Sequence, residues 1–116
     1  MSRRSRRRFE SLVADALDEL PGWVQGAMDN VAVVVEDRPA ADEPDLLGLY
    51  EGIAQTDRES YAGALPDRIT LFRATIESEA GDDDEELRAI IAETVVHEVA
   101  HHFGISDERL EALGWD

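Results

Sequence analysis

Residues 84–104 read DEELRAIIAETVVHEVAHHFG, and the spacing of apolar residues in this stretch decides what kind of domain the chain builds. Acids crowd the first turn, where they suit the positive end of a helix dipole, and Gly104 supplies a stop, so a helix is expected over about 84–103. At ~100° per residue, Ile90, Thr94, Leu87, Ile91, Val95 and Val99 sweep continuously across half of its surface. Ala92, Phe103, Val96, Ala89 and Ala100 cover most of the remainder. A helix that is apolar nearly all round is expected to be the buried centre of its domain.

Three ionisable groups stand close together on that apolar rod. His97 and His101 are four residues apart, so both imidazoles share one face, one turn apart, within reach of a single zinc ion. Glu98 points aside from that direction, placed to hold water rather than metal. Burying an unpaired carboxylate beside two imidazoles costs several kcal/mol, and a divalent cation would offset that cost. With no cysteine in the chain, His and carboxylate are the only strong ligands left. Gly104 permits a sharp reversal that swings Asp107 back toward the histidines, completing H-E-x-x-H-x-x-G-x-x-D and a three-ligand open site. Glu111 is the alternative third ligand if residues 106–113 form a helix of their own. His102 lies ~100° further round the helix than His101, so it reads as a packed or supporting histidine. Glu93, one turn before His97, is the candidate hydrogen-bond partner for that ring.

Outward from the helix, Phe9, Leu12, Val13, Ala16, Leu17 and Leu20 form an amphipathic stripe that Pro21-Gly22 ends. A short helix over 22–30 is expected next. VAVVVE (31–36) is a continuous β-branched run bounded by turn residues and reads as a strand, and DRPAADEPD (37–45) reads as an exposed loop. LLGLYEGI (46–53) reads as a second strand, where Gly48 and Gly52 mark a bulge or a close backbone approach. Residues 55–67 read as a loop, and Ile69, Leu71 and Phe72 begin a third strand that runs into a helix ended by Gly81. Three strands among four or five helices make a small α+β domain over 9–116, with a short three-stranded or slightly larger sheet packed on helices. Trp23 and Trp115 read as packing residues, and Asp82, Asp83 and Asp84 as a solvated helix start, lacking the alternating spacing of a calcium loop.

Charge narrows the function classes. The 116 residues carry 27 acids against 11 bases, a formal charge of −16. A field of that sign opposes every phosphate contact, so no nucleic-acid partner is expected. Five arginines fall within residues 1–8, which read as a flexible leader. Acids at Glu10, Asp15, Asp18 and Glu19 interrupt what would have to be an apolar signal segment, which points to the cytoplasm. No stretch is long and apolar enough for a membrane span.

These residues resemble those of the zincin metallopeptidases, in particular the small bacterial minimal zincins. The resemblance covers about residues 9–114: the leading helix ending in Leu20-Pro21, then VAVVVED, LLGLYEG, LPDRITLF and, most specifically, TVVHEVAHHFGISDERLEALG. The long signature is also similar to that of the metzincins, with Asp107 where histidine is usual; their later methionine turn has no counterpart here. The resemblance implies a zincin-like fold, zinc held by His97, His101 and Asp107, and Glu98 as general base and then general acid toward a peptide carbonyl attacked by water. It implies a peptide or protein substrate. Larger zincins have a second subdomain across the cleft, so a chain this short implies a short, extended or unstructured substrate, a partner that supplies the other wall, or weak activity, and LLGLYEGI is the candidate strand edge for binding a peptide. Tyr50 or Tyr61 is a possible oxyanion donor, although a packed or hydrogen-bonded tyrosine fits their spacing equally well. The competing expectation is a non-proteolytic zinc-binding interaction module on the same fold; retention of Glu98, which a structural site does not need, weighs against it.

Overall fold

The computed structural model describes residues 4–52 and 66–115, so the loop expected over 55–67, with Tyr61, lies almost entirely outside the described residues. Helix α1 (Arg6–Asp18) buries Phe9, Leu12, Val13 and Ala16, the expected stripe. It begins three residues before Phe9, because Ser5 caps it by accepting from the Arg8 N–H at 3.0 Å. Residues 6–8 of the expected leader are therefore helical. Their neighbours in space are acids distant in sequence: Arg6 reaches Asp37 at 3.0 Å, while Arg4 and Arg8 reach Asp84 at 2.6 and 2.9 Å. Helix α2 (Gly22–Ala27) follows Pro21 and buries Val24; it ends three residues short of Asn30, in a turn where Val31 N–H donates to Met28.

Strands β1 (Val31–Glu36), β2 (Gly48–Glu51) and β3 (Asp67–Phe72) form one mixed sheet in the order β1-β3-β2. β3 is central and parallel to β1, with Val31 opposite Asp67, and antiparallel to β2, with Gly48 opposite Leu71. Its middle position explains why Ile69, Thr70, Leu71 and Phe72 are all buried. Helix α3 (Arg73–Ala80) leaves β3 directly and ends at Gly81, whose φ of +64° is the left-handed conformation glycine adopts freely.

Helix α4 (Asp84–His102) is the rod anticipated from the sequence, packed by α1, α2, α3, β2 and β3. Asp83 caps it, accepting from the N–H groups of Glu85 and Glu86. Leu87, Ile91, Val95, Val96, Val99 and Ala100 are wholly inaccessible. Burial does not reach all round: Ala89 faces solvent, and beyond Ala100 the helix leaves the core, with Phe103 54% exposed. Helix α5 (Asp107–Ala112) is capped by Ser106 and anchored by Leu110, and both Trp23 and Trp115 pack against the core as expected. Among the described residues, no helix is long and apolar enough to cross a membrane.

Candidate metal centre

Two glycine turns of the same design build the site. At the end of α4, Ile105 N–H donates back to Ala100 C=O and Gly104 N–H to His101 C=O, with Gly104 at φ +75°. At the end of α5, Trp115 N–H donates to Leu110 C=O and Gly114 N–H to Glu111 C=O, with Gly114 at φ +86°. Both are Schellman closures, which satisfy the last carbonyls of a helix and fold the chain back along it. The first returns Asp107 to His101, Oδ1 to Nε2 at 3.1 Å. The second returns the Trp115 carbonyl to His97, at 2.8 Å from Nε2.

His97, His101 and Asp107 thus offer ligand atoms that all lie within 4.8 Å of one another, and among the described residues no other group of His, Asp and Glu is as closely convergent. The donor set suits zinc: a tetrahedral ion with ligands at ~2.0–2.1 Å would place them ~3.3 Å apart, close to the His101–Asp107 spacing. Helix α5 forms, the condition that favoured Glu111, yet the turn delivers Asp107 because it is the first residue of that helix and nearest the reversal. Asp82, Asp83 and Asp84 form a helix start, with Asp83 as cap and Asp84 paired to arginines.

Two expectations require correction. The histidines do not both lie on a buried surface: His97 is half-buried, but the His101 side chain is 55% exposed and that of Asp107 83%, because the motif sits where α4 emerges from the core. The case for a metal therefore rests on convergence of ligands rather than on relief of burial. Nor does Glu93 hold His97; no hydrogen bond joins them among the described residues, and the partner is the Trp115 carbonyl. A carbonyl only accepts, so this bond puts the ring's proton on Nε2 and, in a neutral ring, its lone pair on Nδ1.

Glu98 is half-buried beside the ligand group without belonging to it, and its Oε1 accepts from the backbone N–H of Tyr50 in β2 at 3.0 Å. His102 is the packed histidine anticipated: its ring stacks on Tyr50 with centroids 3.9 Å apart and planes 18° apart. The Tyr50 hydroxyl donates to Asp67 Oδ2 at 2.8 Å. A groove of about 490 Å³ opens over the site, with His97, Glu98 and His101 on one wall and Leu46, Leu47 and Gly48 on another. Asp45, Glu79 and Glu93 also line it, and among the described residues no arginine does.

The zincin-like metallopeptidase family model matches residues 28–115. The chain belongs to the zincin-like metallopeptidases. The small α+β build, a three-stranded mixed sheet with helices, is consistent with a small zincin-like fold. Among solved structures, a conserved hypothetical protein from T. thermophilus is similar, with a TM-score of 0.56 and 23% identity, covering 97% of this chain and 100% of that one. That likeness bears on the fold. Among curated proteins, none matches. For this zincin-like chain, the two contacts within the site that sequence patterns missed both use backbone atoms, the Tyr50 N–H and the Trp115 C=O; the sequence hinted at them only through Gly48, readable as a bulge or a close approach.

Proposed function

We propose that this protein is a zinc-dependent peptidase in which His97, His101 and Asp107 hold the ion and Glu98 is the general base. The observation that carries the proposal is the division of labour at the end of α4: three convergent ligands, and beside them a carboxylate kept out of the ligand group by a hydrogen bond of its own. His97, His101 and Asp107 would hold a zinc ion that, when bound, would supply Lewis-acid chemistry toward water and a peptide carbonyl. Glu98 accepts the proton of the attacking water at its carboxylate and passes it to the departing amine. The Trp115 carbonyl orients the His97 ring through Nε2 and leaves Nδ1 as the nitrogen open to the ion. β2 is an edge strand alongside the groove, and the outward backbone groups that Glu98 leaves open, those of Gly48 and the Tyr50 carbonyl, suit an extended or unstructured peptide that adds as a further strand. Asp45, Glu79 and Glu93, acids on a lining that holds no arginine among the described residues, favour a cationic side chain near the scissile bond.

The test couples elemental analysis with cleavage of a peptide library. About one zinc per chain is expected, with peptide turnover reduced roughly 10²–10⁴-fold in Glu98→Gln while zinc is retained. A chain that takes up no zinc when offered it, or a Glu98→Gln variant as active as the parent, overturns the proposal. The exposure of Asp107 and His101 favours the second reading, a zinc-bearing interaction module; zinc uptake without turnover of any peptide would select it.

A further inference from the structure

We propose that the backbone N–H of Tyr50 is a positioning donor that fixes the Glu98 carboxylate, and that Gly48 and the Tyr50–His102 ring stack hold this donor in place. The catalytic consequence rests on the reading of Glu98 as general base; the structural claim does not. Its origin lies in strand register. Leu47 C=O accepts from Phe72 N–H at 2.9 Å, and Gly48 stands opposite Leu71. In an antiparallel pair this puts the backbone groups of residues 47, 49 and 51 toward β3 and those of 48 and 50 away from it. The Tyr50 N–H is therefore an outward donor on a sheet edge, a group that ordinarily faces water. Here it meets Glu98, 48 residues further along the chain, at 3.0 Å. A donor to an ionised carboxylate makes one of the stronger hydrogen bonds available to a backbone amide.

The meeting requires β2 to lie unusually close to α4, and the structure secures this on both sides of the N–H. On one side is Gly48, where a Cβ would lie 2.7 Å from Thr94 Cγ2 and 3.2 Å from the Thr70 carbonyl oxygen. Thr94 is not free to step aside, since its Oγ1 donates to Ile90 C=O at 2.7 Å. On the other side the Tyr50 ring lies flat on His102, the last residue of α4, and its hydroxyl is tied to Asp67 at the start of β3. The carboxylate is thus oriented by main chain, which side-chain substitution alone cannot delete.

Amide hydrogen exchange on the full chain, with and without zinc, tests the structural claim independently of any activity. The Tyr50 amide is expected to be protected, and to exchange at least about tenfold faster in Glu98→Ala, while the Leu49 amide, which faces β3, is unchanged. A Tyr50 amide that is unprotected in the parent, or equally protected in Glu98→Ala, overturns the proposal. The catalytic consequence is read from a pair of variants. Proline is tolerated on an edge strand where the N–H faces away from the ladder, so Tyr50→Pro removes ring and donor, whereas Tyr50→Ala removes the ring alone. Tyr50→Pro is expected to show kcat about tenfold or more below that of Tyr50→Ala, with KM and zinc content equal. Equal kcat in the two overturns the positioning role. Absence of turnover in the parent, with the exchange pattern as expected, refutes the peptidase reading and leaves the Tyr50–Glu98 contact standing.

Discussion

The two ends of α4 are built on opposite terms. At its N-terminal half, Leu87 and Ile91 are wholly buried, Asp83 caps the first turn, and Asp84 is paired with Arg4 and Arg8. At its C-terminal end, His101, His102 and Phe103 are exposed and Asp107 more so. One end fixes where the helix lies and the other carries ligands into solvent. The difference teaches that here burial supplies rigidity, while the convergence of ligands comes from the glycine turn after the helix. Damage to the two ends should consequently look different.

The largest effect expected on the fold is from the buried end. Ile91→Ala removes a fully inaccessible side chain and should cost about 2–5 kcal/mol of stability, read by denaturant unfolding. Asp107→Ala is its counterpart: stability of the metal-free chain should move by no more than about 0.5 kcal/mol, as for exposed surface positions. Zinc affinity, read by competition titration, should nonetheless fall by more than the roughly 10–100-fold typical of losing a mere supporting partner. If Asp107→Ala unfolds the chain, the contrast between the ends is wrong. Between these lies Gly48→Ala, which wedges a methyl against Thr94 and should cost about 1–3 kcal/mol, as overpacking does. The same variant should lower peptidase turnover with zinc content intact.

The smallest effect belongs to Asp84. Hydrogen bonds from Arg4 and then Arg8 hold its carboxyl below the ordinary carboxylate range. A depressed folded-state pKa adds stability above the ordinary value and loses it as pH falls through the lowered one. The melting temperature of the parent should therefore exceed that of Asp84→Asn at neutral pH, by a margin that narrows below about pH 4 and in high salt. A margin that widens in acid would contradict the pairing.

Much of this was legible in the sequence because it is written in periodicity and in glycines. The stripe from Phe9 to Leu20, the β-branched run at 31–36 and the long apolar helix each announce their element through side-chain spacing. Gly48 was readable as a bulge or a close approach, and the spacing from His97 to Asp107 anticipated that His97, His101 and Asp107 converge. What escaped was set by other causes. A helical projection gives directions around an axis but not how far neighbouring elements extend along it, so His101 was expected on a covered surface. The arginines at 4, 6 and 8 find their acids at 37 and 84, a pairing no local pattern encodes. The Trp115 carbonyl and the Tyr50 amide are atoms that almost every residue possesses, distinguished only by where the chain carries them.

The two glycine turns also set how far along the chain each part of the site must be gathered. His101 and Asp107 are six residues apart, whereas Glu98 and its donor are separated by 48. Closing a short loop costs little entropy and closing a long one costs more, so the convergence of His101 and Asp107 is a local structure and the placement of Glu98 a non-local one. Fraying of the short edge strand β2 would free Glu98 and leave the three ligands gathered. On the peptidase reading, cleavage should be lost in mild denaturant before zinc is released.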